Sequence, residues 1–325
     1  MSDRALRIGA LTSAVRTVEP RKRFATILVA TDGTEAGDRA VTYGIELARE
    51  HGAILEICTV VDSSAALSGT ALSGGIDGTQ IARVLEDAAR EILVRAGASA
   101  KRVEIASATS IVFGHPAEAI VKAATEKHAD AIVVGTRGTN ALERFFLGST
   151  AWDVLRASAI PTIVVPPHLA PHSTSYRVLV ALDASERSDA TLQFAMRLAA
   201  AERAMLLLCS VVETQDLYEK AATYGYDYAP VLAELHITSE ELIRHHAAVV
   251  ELHDLPHEVV IVEGEAAKSI LMVARQHRAD TIVIGTHGRR GVARLFLGSV
   301  AEAVVREATV PVAVIRTQHR DVPVM

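Results

Sequence analysis

The chain has 325 residues, half of them hydrophobic, and a net charge of −6 from 33 Lys and Arg against 39 Asp and Glu. That length points to two domains, and the composition is globular, with apolar residues enough for a core in each. The acidic balance, with a pI near 6.1, argues against a dedicated nucleic-acid binder, and no uncharged apolar run reaches the ~20 residues that span a bilayer.

Met1 to Arg23 carries Arg4, Arg7, Arg16, Arg21, Lys22 and Arg23 against Asp3 and Glu19, without the apolar centre of a signal peptide. A flexible tail and a cytoplasmic protein are the expectation. Thr26 to Thr31 (TILVAT) is a short β-branched run that ends at Asp32. Helical spacing follows over Glu35 to Glu50, then a strand over Ile54 to Val61. Asp62 to Gly78, rich in Ser and Gly, reads as an irregular insert. The spacing next predicts a helix over Thr79 to Ala96 with Ile81, Val84, Leu85, Ala88, Ile92 and Leu93 inward. A third strand falls within Val103 to Val112, and Pro116 is well placed in the first turn of another helix. Ala131 to Val134 is a fourth strand, Ser149 to Ser158 a short helix and Thr162 to Val165 a fifth strand.

The expected division is a tail over 1–23, an α/β domain over 24–167, a linker over 168–175, a second α/β domain over 176–317 and a tail over 318–325. Three prolines in PPHLAPHSTS mark the linker. The second half repeats the order of the first: strand Arg177 to Leu182, helix Glu186 to Ala201, strand Met205 to Val212 and insert Glu213 to Ala229. A helix from Pro230 to about His253, a strand near Glu258 to Val262 and a helix from Ala266 to Arg278 come next. Strand Thr281 to Ile284, a helix from Ser299 and strand Val312 to Ile315 complete it. Alternating strands and helices imply a parallel, doubly wound sheet in each half, in the order 3-2-1-4-5 with helices on both faces. The fifth strands would be bare edges, and pairing them with one another removes the hazard. Cys58 and Cys209 lie in matching contexts, LEICTVVD and LLLCSVVE, each inside its own second strand; both read as small buried residues rather than a disulfide.

The duplication is sharpest in two loops. GTRGTNALERFFLGS from Gly135 matches GTHGRRGVARLFLGS from Gly285 at 8 of 15 positions. Each has Gly, two residues, Gly, nine residues, then Gly-Ser opening a helix. Such a loop suits phosphate oxygens: glycines allow close approach and positive φ, and the helix start offers free N–H groups. In a 3-2-1-4-5 sheet the strand ends flanking the reversal form the ligand crevice. Asp32 therefore faces Gly135, and Asp183 faces Gly285. Gly135, Gly138, Gly148 and Ser149 would take phosphates, Asp32 the ribose or a metal-bound water, and Val60 the adenine. Gly285, Gly288, Gly298, Ser299, Asp183 and Val211 are the second set. Adjacent positions Thr31, Val134, Arg137 and Thr150, and Leu182, Ile284, His287 and Val300, complete the expected contacts. No protein metal site is expected. The five histidines His236, His245, His246, His253 and His257 lack a Cys nearby and read as solvent-facing. Tyr218, Tyr224, Tyr226 and Tyr228 read as packing of the second insert on its own domain. Ser73 to Asp77 resembles a pyrophosphatase loop but follows the wrong strand, and no lysine lies in either glycine loop.

The spaced Gly-x2-Gly-x9-Gly-Ser, the first-strand Asp and the Val near the end of the second strand resemble the universal stress protein family in its tandem form, over about Phe24 to Thr317. The resemblance implies ATP, or ADP or AMP, bound in both halves, with magnesium as a companion. It also implies antiparallel pairing of Thr162–Val165 with Val312–Ile315, an internal pseudo-dimer. Two positions depart from the family pattern. Ala30 and Ala181 stand where Pro is frequent, and Thr150 where Val is frequent. The expected function is a nucleotide-binding stress-response module acting on a protein partner, without nucleic acid or membrane. The alternatives are a slow ATPase or autophosphorylating enzyme, with Asp32 or Asp183 helping a divalent ion, and a chaperone-like module with empty crevices. A homodimer is compatible with the sequence but not specified by it.

Overall fold

The computed structural model describes residues 23–62, 78–136, 148–167, 176–183, 188–201, 204–215, 217, 223, 227–286 and 297–316. The first tail up to residue 22, most of the first insert, the proposed linker, Tyr218, Tyr224, Tyr226 and the second tail lie outside the described residues. In the first half the elements are β1 (Thr26–Ala30), α1 (Glu35–His51), β2 (Ile54–Val61), α2 (Gly78–Arg102), β3 (Ser107–Phe113), α3 (Pro116–Glu126), β4 (Ala131–Gly135), α4 (Ser149–Ala157) and β5 (Thr162–Val165). The second half contributes β6 (Arg177–Ala181), α5 (Ser188–Ala199), β7 (Met205–Glu213), α6 (Ala229–Glu251), β8 (His257–Gly264), α7 (Ala266–Gln276), β9 (Thr281–Gly285), α8 (Ser299–Glu307) and β10 (Val312–Ile315).

All the strands join one ten-stranded sheet in the order β3-β2-β1-β4-β5-β10-β9-β6-β7-β8. Each half is thus 3-2-1-4-5 and parallel within itself. The halves meet where β5 and β10 run antiparallel, Val312 opposite Val164, Ala313 opposite Ile163 and Val314 opposite Thr162. Both strands, TIVV and VAVI, are buried along their whole length. A sheet covered on both faces needs apolar residues at every position, which is why the central strands read as unbroken apolar runs. Alternation then divides them. Ile27, Val29 and Ile57 join the core beneath α1, α2, α5 and α6, and Leu28, Cys58 and Ile132 join the core beneath α3, α4, α7 and α8. Both cores run unbroken through the two halves.

The join carries polar ties as well. The Tyr176 hydroxyl lies 2.6 Å from Thr281 Oγ1, and the Tyr43 hydroxyl, from the first half, 3.5 Å from the same atom. Arg197 donates to Asp130 Oδ1 at 2.6 Å, while Asp130 Oδ2 accepts from the N–H groups of Ala25 (2.6 Å) and Thr26 (3.2 Å). The guanidinium also covers the Phe24 ring, 4.7 Å from its centroid. Phe24 in turn stacks on the buried His51, whose Nδ1 accepts the Phe24 N–H at 3.2 Å.

Helix α2 differs from the sequence reading. It runs on to Arg102, and in its first turns Val84 is 67% and Leu85 37% exposed. Ala88 is exposed, Ile81 and Ile92 are half-buried, and Leu93 alone of the expected inward set is fully buried. Among the described residues no helix is long and apolar enough to cross a membrane.

Candidate functional site

The order in which strands are laid down reverses between β1 and β4, and again between β6 and β9. Rungs between β1 and β4 end at Val29 opposite Val133. Each strand continues with its outer neighbour instead. Ala30 pairs with Cys58, and the Thr31 N–H donates to the Cys58 carbonyl at 2.9 Å. On the other side Gly135 pairs with Val165, and the Thr136 N–H donates to the Val165 carbonyl at 3.0 Å. The two tips thus bond away from each other, and it is between them that the crevice is expected. In the second half the last rung is Ala181 opposite Ile284, after which Leu182 bonds outward to Cys209 and Thr286 to Ile315, both at 2.9 Å.

The loop beyond β1 fixes Asp32. Its Oδ1 accepts from the Thr34 N–H (3.0 Å) and Thr34 Oγ1 (2.6 Å), and Thr34 Oγ1 accepts the Gly37 N–H at 3.3 Å to cap α1. Thr31 Oγ1 holds the Gly33 N–H at 3.2 Å. Asp32 itself is exposed, so the side chain is oriented by the loop yet open to solvent. Gly33 has φ +72°, and a Cβ there would lie 2.6 Å from Ile92 and 3.0 Å from the Arg95 guanidinium. Ile92 and Arg95 of α2 thus border the first loop. The sequence held no sign of this, because the contact joins residues about sixty positions apart. In the second half Ser188 stands where the repeat has Gly37. Its Oγ accepts the Asp183 N–H at 3.1 Å and lies 2.8 Å from both the carbonyl oxygen and Oδ1 of Asp183. The two aspartates are held by different devices.

The next described helix after each of β4 and β9 opens on a glycine. Gly148 caps α4 with φ −58°, and Gly298 caps α8 with φ −61°; neither cap has a side-chain hydrogen bond. Helix geometry leaves the first-turn N–H groups without intrahelical acceptors, and the helix dipole adds positive potential there. The Gly298 N–H donates to the Thr286 carbonyl at 2.8 Å, tying the mouth of α8 to the tip of β9. The expectation of positive φ fails at these glycines, and Gly135 and Gly285 do not adopt it either. At Gly135 the reason is space. A Cβ on Gly135 would land on the Ala36 carbonyl oxygen at the start of α1.

The remaining expected contacts divide by burial. Thr31, Val134, Gly148, Leu182 and Ile284 are buried; Val60, Gly135, Thr150, Asp183, Val211, Gly285, Gly298 and Val300 are half-buried; Ser149 and Ser299 are exposed. Arg137, Gly138, His287 and Gly288 lie outside the described residues. Thr136, absent from the expected set, is 8% exposed at the β4 tip, and its Oγ1 has no hydrogen-bond partner among the described residues.

Other reactive groups are accounted for elsewhere. Burial pushes the Cys58 and Cys209 thiols up to about 12, so neither is a nucleophile near neutrality. The histidines are not uniformly solvent-facing as expected. His246 is 1% exposed with Nε2 3.3 Å from Asp189 Oδ1, and His236 Nε2 lies 2.8 Å from Glu263 Oε1. Among the described residues no three His, Cys, Asp or Glu side chains gather as a metal site.

Two doubly wound halves, each with a glycine-capped helix mouth at its reversal, define a tandem α/β protein built by duplication. The chain belongs to the universal stress protein family, whose sequence pattern matches residues 23–166 and again 175–316. It is 29% identical over 306 residues to universal stress protein Rv2005c of Mycobacterium tuberculosis, covering 92% of this chain and 99% of that one. A crystal structure of a universal stress protein from Archaeoglobus fulgidus superposes with a TM-score of 0.68 at 22% identity, covering 90% of this chain and 98% of that one. A universal stress protein structure from Pseudomonas aeruginosa gives 0.60 at 17% identity, covering 91% and 94%.

Proposed function

We propose that each crevice binds an adenine nucleotide, with ATP the principal ligand, and that the protein acts as a nucleotide-dependent binding module rather than as an efficient catalyst. One observation carries this reading. In each half the helix after the fourth strand opens on a glycine cap that supplies no side-chain oxygen, and the tip of the neighbouring first strand carries an aspartate fixed by hydrogen bonds, Asp32 to Thr34 and Asp183 to Ser188. Amides of that kind suit phosphate oxygens, and an oriented carboxylate suits ribose hydroxyls or a magnesium ion arriving with the phosphates. Occupancy would link a helix mouth to a strand tip and so alter the surface offered to a protein partner; the differential affinity of that partner for the two forms sets the response.

Native mass spectrometry of the undialysed protein should show adenine nucleotide at up to two per chain, and calorimetry should show heat with ATP. Absence of both signals with ATP, ADP and AMP would overturn the reading. Incubation with ATP and magnesium should leave the bound pool intact, whereas stoichiometric ADP would make the protein a slow hydrolase.

A further inference from the structure

The sheet ends on two strands, β3 and β8. Among the described residues β2 is the only strand paired with β3. The phase of that ladder shows which backbone groups remain. Leu55 N–H donates to the Ala106 carbonyl at 2.9 Å, and Gly114 N–H to the Val61 carbonyl at 3.2 Å. The register between them is unbroken, from Leu55 opposite Ser107 to Val61 opposite Phe113. Backbone groups of one residue point the same way in a strand, and alternate residues point opposite ways. Ala106, Ala108, Ser110, Val112 and Gly114 therefore face β2, while Ser107, Thr109, Ile111 and Phe113 turn both N–H and C=O toward the free side.

Natural edge strands are blunted by charges, proline or bulges. β3, SATSIVF, has none of these, and Phe113 at its end is 58% exposed. β8 at the far end is charged, with Glu258 3.4 Å from His277 and Glu263 2.8 Å from His236. Helix α2 lies against β3 at Thr109, where Gly97 comes so close that an added Cβ would be 3.3 Å from Thr109 Cγ2, yet Thr109 stays exposed. The chain's other uncharged edges, β5 and β10, are closed by antiparallel pairing across its internal join.

We propose that β3 is an interface for a second copy of this chain, strand against strand and antiparallel about a twofold axis. A strand edge without charge is complementary to itself, and β5 with β10 shows this sheet extending in that manner. An axis through Ser110 would set Thr109 opposite Ile111, and Ser107 opposite Phe113, of the second copy. All four outward residues then pair, and two ten-stranded sheets become one.

Sedimentation velocity through the micromolar range tests this, with the full chain and two variants. The unaltered chain should sediment as a dimer. Thr109→Pro removes an outward N–H at both symmetry-related positions without touching the β2 ladder, and Ile111→Lys places a cation on the edge. Each should weaken association by about tenfold or more while leaving the far-ultraviolet circular dichroism spectrum and its melting curve near those of the parent. A monomeric parent would overturn the proposal, and so would a dimer that both variants preserve.

Discussion

His51 titrates far from its ordinary value. Burial, then the Arg23 and Arg197 charges, lower its pKa from 6.5 to about 4, against a smaller opposing pull from Asp130. Between those values the unfolded chain binds a proton that the folded chain refuses. Stability therefore falls as the pH drops from 6.5 toward 4, by at most about 3 kcal/mol from this residue. Asp130 acts in the same sense at lower pH: hydrogen bonds from Arg197, Ala25 and Thr26 lower its pKa against the burial that raises it. His51→Gln keeps an acceptor near the Phe24 N–H but cannot gain the proton, so urea unfolding of that variant should vary less with pH across the window. Equal slopes for variant and parent would show that His51 is not responsible. Gly135 gives a second test at this scale. Because its missing Cβ makes room for the Ala36 backbone, Gly135→Ala should destabilise the nucleotide-free protein by about 1–3 kcal/mol in the same assay. A loss seen only when ligand is present would assign the glycine to the ligand instead.

Helices α4 and α8 begin on glycines whose φ any residue could adopt, so their caps can be exchanged. Gly298→Asp would supply the missing cap oxygen and a negative charge at the mouth of α8. The variant should be more stable by about 0.5–1 kcal/mol, yet should lose nucleotide from the second crevice, because its own carboxylate competes with phosphate. Stability and binding moving in opposite directions is the signature to seek; unchanged calorimetric stoichiometry would place the ligand elsewhere. Much at this scale was legible in the sequence. β2, β5 and β10 match the expected spans residue for residue, because short β-branched runs between turn signals leave little room for another reading. Strand order then placed Asp32 and Gly135 on neighbouring tips. The end of α2 was not legible. The expected helix stops at Ala96, but Gly97 lets the helix lie against Thr109 and the helix continues to Arg102. Periodicity likewise marked Val84 and Leu85 as one inward stripe without revealing that both are exposed. It also could not distinguish the buried His246 from the half-buried histidines around it, since only the fold brings it to Asp189.

At the scale of the molecule, the join between β5 and β10 is short and almost wholly apolar, and Arg197 with Asp130 is its most evident charged tie. Both side chains are partly exposed, at 29% and 23%, which limits their contribution. Arg197→Met should cost about 1–2 kcal/mol in urea unfolding, since Asp130 retains its backbone partners. A change within a few tenths of that of a solvent-exposed control substitution would show the tie to be idle. The direction of the join has a further effect. Strands of the second half run head to tail against those of the first, so its carboxyl tips emerge where the first half begins. The two hollows consequently look away from each other, at opposite poles of a single strip. Under the proposed function, a partner that docks over one pole would gain no direct view of the other, and the two occupancies would be announced to separate audiences.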